Sequence, residues 1–139
     1  MAAQLFDLVD DLSQMPRKRD AIEQGATFGW VVSFEAADTD GTAPEDWSAR
    51  MQVRTNVADK DTGDPLLDLD TEPGGGITLT IGEGIGGDLV HLSITTPAAA
   101  TTELPIGKWW YDLELERVSD GYVRRICKGR AQVVGEVTR

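Results

Sequence analysis

Hydrophobic and polar residues alternate along most of this chain. The clearest run is Leu104 to Glu116, where Trp109, Tyr111, Leu113 and Leu115 alternate with Trp110, Asp112, Glu114 and Glu116. Strict alternation predicts a half-buried β-strand, because successive side chains point to opposite faces of a sheet. One face here is apolar and the other acidic, apart from Trp110. The same period recurs at Phe28, Trp30, Val32 and Phe34, and at Ala49, Met51 and Val53. It continues through Leu67 and Leu69, then Ile77, Leu79 and Ile81, then Val90, Leu92 and Ile94. Tyr122 to Cys127 and Ala131 to Val137 supply two further strands, entered through Ser119, Asp120 and Gly121, a hairpin turn of the Asp-Gly kind. Thr96 to Leu104, with three consecutive alanines, reads as one helical turn crossing between sheets.

The first residues have another period. Leu5, Leu8, Val9, Leu12 and Met15 lie on one stripe of a helix over residues 2 to 15, ended by Pro16 and followed by Arg17, Lys18 and Arg19. A helix this short is marginal alone, so it must pack on its own domain or on a neighbouring subunit. The reading is therefore all-β: an immunoglobulin-like antiparallel β-sandwich of about seven or eight strands over residues 24–139, preceded by a short helical arm and linker over residues 1–23. Strands do not alternate with long helices, which excludes a parallel α/β sheet.

Charge narrows the function. With 24 acidic and 13 basic residues the net charge is −11. That argues against nucleic acid or an anionic membrane as the main partner. No apolar run approaches the ~18–20 residues of a membrane span, and no basic leader precedes one. The protein is expected to be made in the cytoplasm. One cysteine, Cys127, excludes an internal disulfide and reads as a small strand residue.

Candidate chemistry is sparse. Gly82 to Gly87 superficially resembles a dinucleotide loop, but a strand follows it where the mechanism needs a helix, so it reads as a hairpin turn. The loop Asp59 to Asp64 has clustered carboxylates but lacks the glycine at the sixth position and the glutamate at the twelfth that a calcium loop requires. Asp38, Asp40, Glu45 and Asp46 are likewise read as solvated acids, so no metal or cofactor is expected. His91, the sole histidine, falls on an outward face. Asp112, Glu114 and Glu116 sit ~6.5–7 Å apart along one face, a separation glycosidases can use. They read instead as the wet side of a strand, with Arg50, Arg54 or Arg124 as cross-strand partners. No enzyme activity is expected.

Four stretches together carry a resemblance. They are Gln24 to Phe28, Trp47 to Arg54, Leu104 to Leu115 and Gly129 to Arg139. They resemble small proteins encoded among the structural genes of tailed bacteriophages, a group similar to the N-terminal domain of phage baseplate upper proteins. That resemblance covers residues 24–139 and implies an immunoglobulin-like domain that joins virion parts at the tail, neck or baseplate, present in several copies, with no catalytic residues. The chain is expected to depart from the larger proteins by lacking a fibre extension and by carrying the arm in front. The expected partners are other virion proteins. The expected contacts are Leu5, Leu8, Val9 and Leu12 on the arm and Trp110 on the sheet. Capsid decoration is an alternative within this class. A carbohydrate-binding module using Trp110 is an alternative outside it.

Overall fold

The structure, a computed structural model, describes residues 4–5, 21–55 and 65–135. Among these residues the chain forms nine strands: β1 (Gln4–Leu5), β2 (Ile22–Glu23), β3 (Phe28–Ala36), β4 (Trp47–Arg54), β5 (Leu67–Asp70), β6 (Ile77–Gly82), β7 (Asp88–Thr96), β8 (Gly107–Arg117) and β9 (Val123–Val134). One short helix, α1 (Ala98–Thr102), links β7 to β8. No helix among the described residues is long and apolar enough to cross a membrane.

The strands form two sheets. The six-stranded sheet runs β1-β9-β8-β4-β5, with β2 also on β9; the three-stranded sheet runs β3-β7-β6. Every pairing is antiparallel except those of β1 and β2, which run parallel to β9. Alternation decides which side chains meet between the sheets. Ala49, Met51, Val53, Tyr111, Leu113 and Leu115 of the larger sheet face Phe28, Val32, Leu79, Val90, Leu92 and Ile94 of the smaller in one buried cluster. Each large side chain buried there contributes about 1.5–3 kcal/mol. The crossing at α1 is pinned by the Thr101 hydroxyl, which donates to the Ala26 carbonyl at 2.8 Å.

Two expectations are corrected. Where two strands are expected, Tyr122 to Cys127 and Ala131 to Val137, the single strand β9 runs without a break from Val123 to Val134, with a β-bulge; Glu136 and Val137 lie outside the described residues. Leu113 pairs with Cys127 but Glu114 pairs with Arg125, so Ile126 is an extra residue. Ile126 and Cys127 are both buried, and the phase of alternation reverses there. At the other end of the chain, Gln4–Leu5 is strand, whereas the apolar stripe predicted helix from residue 2. The rest of that stripe, including Leu8, Val9 and Leu12, lies outside the described residues, as does the loop Asp59 to Asp64.

Candidate interaction surface

The outward face of the larger sheet is built from cross-strand rows. Strands β4, β8 and β9 each contribute alternate side chains, and register sets which of them adjoin. Arg54, Trp110 and Arg130 share one row, Gln52, Asp112 and Lys128 the next, and Arg50, Glu114 and Arg125 the one after. Acids of β8 thus lie between basic columns, an arrangement that opposite-charge cross-strand pairs stabilise modestly.

Trp110 is 38% exposed, with the Arg130 guanidinium 5.7 Å from its ring centroid. This cation–π contact is worth about 0.5–1 kcal/mol at an exposed site. On the other side, Arg54 donates to the Gln52 amide oxygen at 3.2 Å. Trp110 thus sits in register between two guanidinium-bearing strands.

The partners expected for the β8 acids are only partly those observed. Arg50 sits opposite Glu114 but makes a two-pronged hydrogen-bonded ion pair with Asp68 of β5, at 3.2 and 3.1 Å. Hydrogen bonding from Arg50 holds the Asp68 carboxyl below its ordinary pKa, and the same contact raises that of Arg50. Arg54 sits opposite Trp110, and its charge acts on Asp112 of β8 and on Asp68 of β5. Arg124 does not join the outer face: it pairs with Leu115, on the inward side. Its guanidinium lies 5.5 Å from the Phe34 ring and 2.8 Å from Asp38. The bulge at Ile126 explains this, because it sends Arg124 inward and Arg125 outward. Arg125 then reaches Glu114 at 3.3 Å and Asp112 at 3.7 Å. Asp112 is pushed above the ordinary carboxylate pKa by burial first and by Glu114 second, against the pull of Arg125.

The remaining candidates separate cleanly. Leu5 pairs with Lys128, whose other neighbour is Asp112, so the backbone of β1 ends one row from Trp110. His91 lies on the outer face of the smaller sheet, its Nδ1 2.7 Å from the Ser33 hydroxyl. Cys127 is fully buried, and burial pushes its thiol up to about 11. The Gly82 to Gly87 stretch is the turn between antiparallel β6 and β7, held by the Glu35 carboxylate, which accepts from the Gly86 N–H. Among the described residues, no group of three or more His, Cys, Asp or Glu side chains could hold a metal ion.

Two features escaped the sequence reading. Arg117 lies between two aromatic rings, 5.4 Å from Trp47 and 4.8 Å from Tyr122. A groove of about 480 Å³ runs past Trp47, Pro44, Pro73 and Ile77, with Glu45 and Glu72 among its lining residues. Neither had a local signal, since each joins segments distant in sequence. No protein-family model matches the chain, and no curated protein matches it in sequence.

Proposed function

We propose that this chain is a non-enzymatic structural component of a tailed-phage virion, an immunoglobulin-like adaptor that assembles at the tail, neck or baseplate. The observation that carries the assembly role is Trp110, a large aromatic 38% exposed in the middle strand of a charged sheet face. Tryptophan and arginine are the residues most enriched where protein partners bind, and here they share a row.

Support for the immunoglobulin-like reading comes from strand order. The central pairings β9-β8-β4-β5 over β3-β7-β6 match the arrangement in which strands G, F, C and C′ face B, E and D. The apolar stripe of residues 2–15 has its place in the same reading. Strand β1 pairs with β9 as far as Lys128, and β2 pairs with it from Val133. Leu5 belongs to β1 beside β9, and the docking arm of this reading continues through Leu8, Val9 and Leu12, which lie outside the described residues.

Incorporation tests the reading. Particles from a lysate of the phage that encodes the chain should carry a tagged copy, and Trp110→Ala should be depleted from them while remaining folded. Equal incorporation of both removes Trp110 as the contact, and absence of the wild type from particles overturns the assignment. A second reading, a carbohydrate-binding module, draws on the flanking of an exposed tryptophan by Asp112 and arginines, groups able to stack on and hydrogen-bond a sugar. Glycan-array binding lost in Trp110→Ala would favour it over assembly.

A further inference from the structure

The smaller sheet ends at β6, and among the described residues no strand lies beyond it. Sheet edges are commonly blunted by charge, by proline or by a covering segment. Here β5 carries Asp68 and Asp70, and the outer edge of β9 is covered by β1 and β2. Strand β6 has no charged residue and no proline. The Thr95 N–H donates to the Gly76 carbonyl at 2.8 Å, which makes Gly76 and Thr95 a hydrogen-bonded pair at the start of the β6–β7 ladder. Bonded and non-bonded pairs alternate along an antiparallel ladder, so the backbone N–H and C=O groups of Ile77, Leu79 and Ile81 point to the open side.

That open edge borders the groove of about 480 Å³. Ile77 and Leu79 of β6 line it, together with Pro44 and Glu45 before β4, Trp47 at its start, and Glu72 of the β5–β6 connection. Trp47 is fixed in place: its Nε1–H donates to the Thr42 hydroxyl at 2.9 Å, and the Arg117 guanidinium sits 5.4 Å from its ring centroid. A preformed wall of this kind costs a ligand little ordering on the protein side. The charge of the groove is one-sided. Glu45 and Glu72 are exposed, neither carboxylate has an ion-pair partner among the described residues, and no lysine or arginine lines the groove.

We propose that this groove takes an extended peptide segment of another protein, one that alternates apolar with basic residues and adds to β6 as a fourth strand of the smaller sheet. Main-chain hydrogen bonds to Ile77, Leu79 and Ile81 hold the segment. Side chains opposite one another across a ladder share a face. The residues paired with Ile77 and Leu79 are therefore the apolar ones, and they extend the core margin where Ile81 is only half-buried. Lysine or arginine at the remaining positions brings the opposite charge that Glu45 and Glu72 lack. At a net charge of −11 the chain also draws a basic segment in from a distance. Trp110 lies on the outer face of the larger sheet, so the groove is a second surface, independent of the virion assignment.

Magnetic resonance titration of the isotope-labelled full chain at low salt tests this. The probe is an end-blocked heptapeptide alternating lysine and valine. It should shift the amides of Ile77, Leu79 and Ile81, slow their exchange with solvent, and bind with a Kd of about 1 mM or tighter. Glu45→Gln with Glu72→Gln should weaken binding by about tenfold. Glu83→Gln with Glu103→Gln removes the same charge at exposed positions outside the groove and should change binding by no more than about twofold. The peptide methylated at its valine nitrogens, whose amides face β6, should not bind, nor should a peptide alternating glutamate and valine. All four substitutions are at exposed positions, and both double variants should keep the far-ultraviolet dichroism of the wild type. No shift along β6, equal weakening in the two double variants, or equal binding of the methylated peptide would overturn the proposal. Incorporation into particles is measured separately, so failure here leaves the virion assignment standing.

Discussion

Trp30 and Tyr111 meet edge to face across the two sheets, their ring centroids 5.7 Å apart and their planes at 84°. Tyr111 is buried, and Trp30 packs against the core from its margin. Such a contact adds about 0.5–1.5 kcal/mol beyond the burial of either ring. A double-mutant cycle of Trp30→Leu and Tyr111→Leu, read by urea unfolding, should therefore give a coupling energy in that range. Additive effects would show that the rings stabilise the sandwich by area alone.

The inward turn of Arg124 has a cost that Asp38 offsets. The Arg124 side chain is only 11% exposed and that of Asp38 33%, so the guanidinium is largely buried while its carboxylate partner reaches water. Removing the carboxylate takes the Asp38 ion-pair partner from a largely buried guanidinium that packs on the Phe34 ring. Asp38→Ala should destabilise the fold by about 1–3 kcal/mol, more than a surface pair would. Arg124→Met, which keeps the volume and removes the charge, should cost less than Asp38→Ala in the same unfolding assay.

Cys127 should be inert while the protein is folded. Its side chain is fully buried and its thiol is shifted from 9.0 up to about 11 by burial. The thiolate, which is the reactive form, is depleted roughly a hundredfold by that shift before access is considered. A chromogenic disulfide reagent at pH 8 should react with the native protein at the rate of global opening, and within seconds in denaturant. Rapid reaction of the native chain would place the thiol at the surface.

Asp112 gives a pH signature of definite sign. Its folded pKa is raised, so the native state binds a proton that the unfolded chain does not. Its contribution to stability therefore falls as pH rises from the unfolded value near 3.8 through the raised folded value. Asp112→Asn should be neutral or stabilising by a few tenths of a kcal/mol at pH 7, and the difference should vanish in acid. Asp68 works in the opposite direction. Its folded pKa is lowered by Arg50, so its contribution is present above 3.8 and lost as pH falls through the folded value. Stability of Asp68→Asn should fall below wild type at pH 7 and converge with it in acid.

Much of the strand pattern was legible because burial and alternation coincide. In β8, Tyr111, Leu113 and Leu115 are buried while Trp110 and Glu116 face water, as their period requires. The same holds for β3 and β4. Alternation failed at Ile126, where a bulge reverses the phase without changing composition; Arg124 and Arg125 look equivalent in sequence and end on opposite sides of the sheet. It also failed at Gln4–Leu5, where parallel pairing with β9 is a long-range event and the local stripe favours helix. Trp110 stood out in sequence as the apolar member of an acidic row. Its basic neighbours did not, because Arg54 and Arg130 come from strands whose register only the fold sets.

As a proposed part of a phage particle, the chain is expected at the tail. Immunogold electron microscopy of particles purified from the encoding phage, with antibody against the folded domain, tests this. Gold should cluster at the tail, neck or baseplate, at several copies per particle. Gold spread over the head would make the chain a capsid decoration protein, against the placement argued here. Unlabelled particles, with the whole signal left in the soluble fraction, would contradict a structural role altogether.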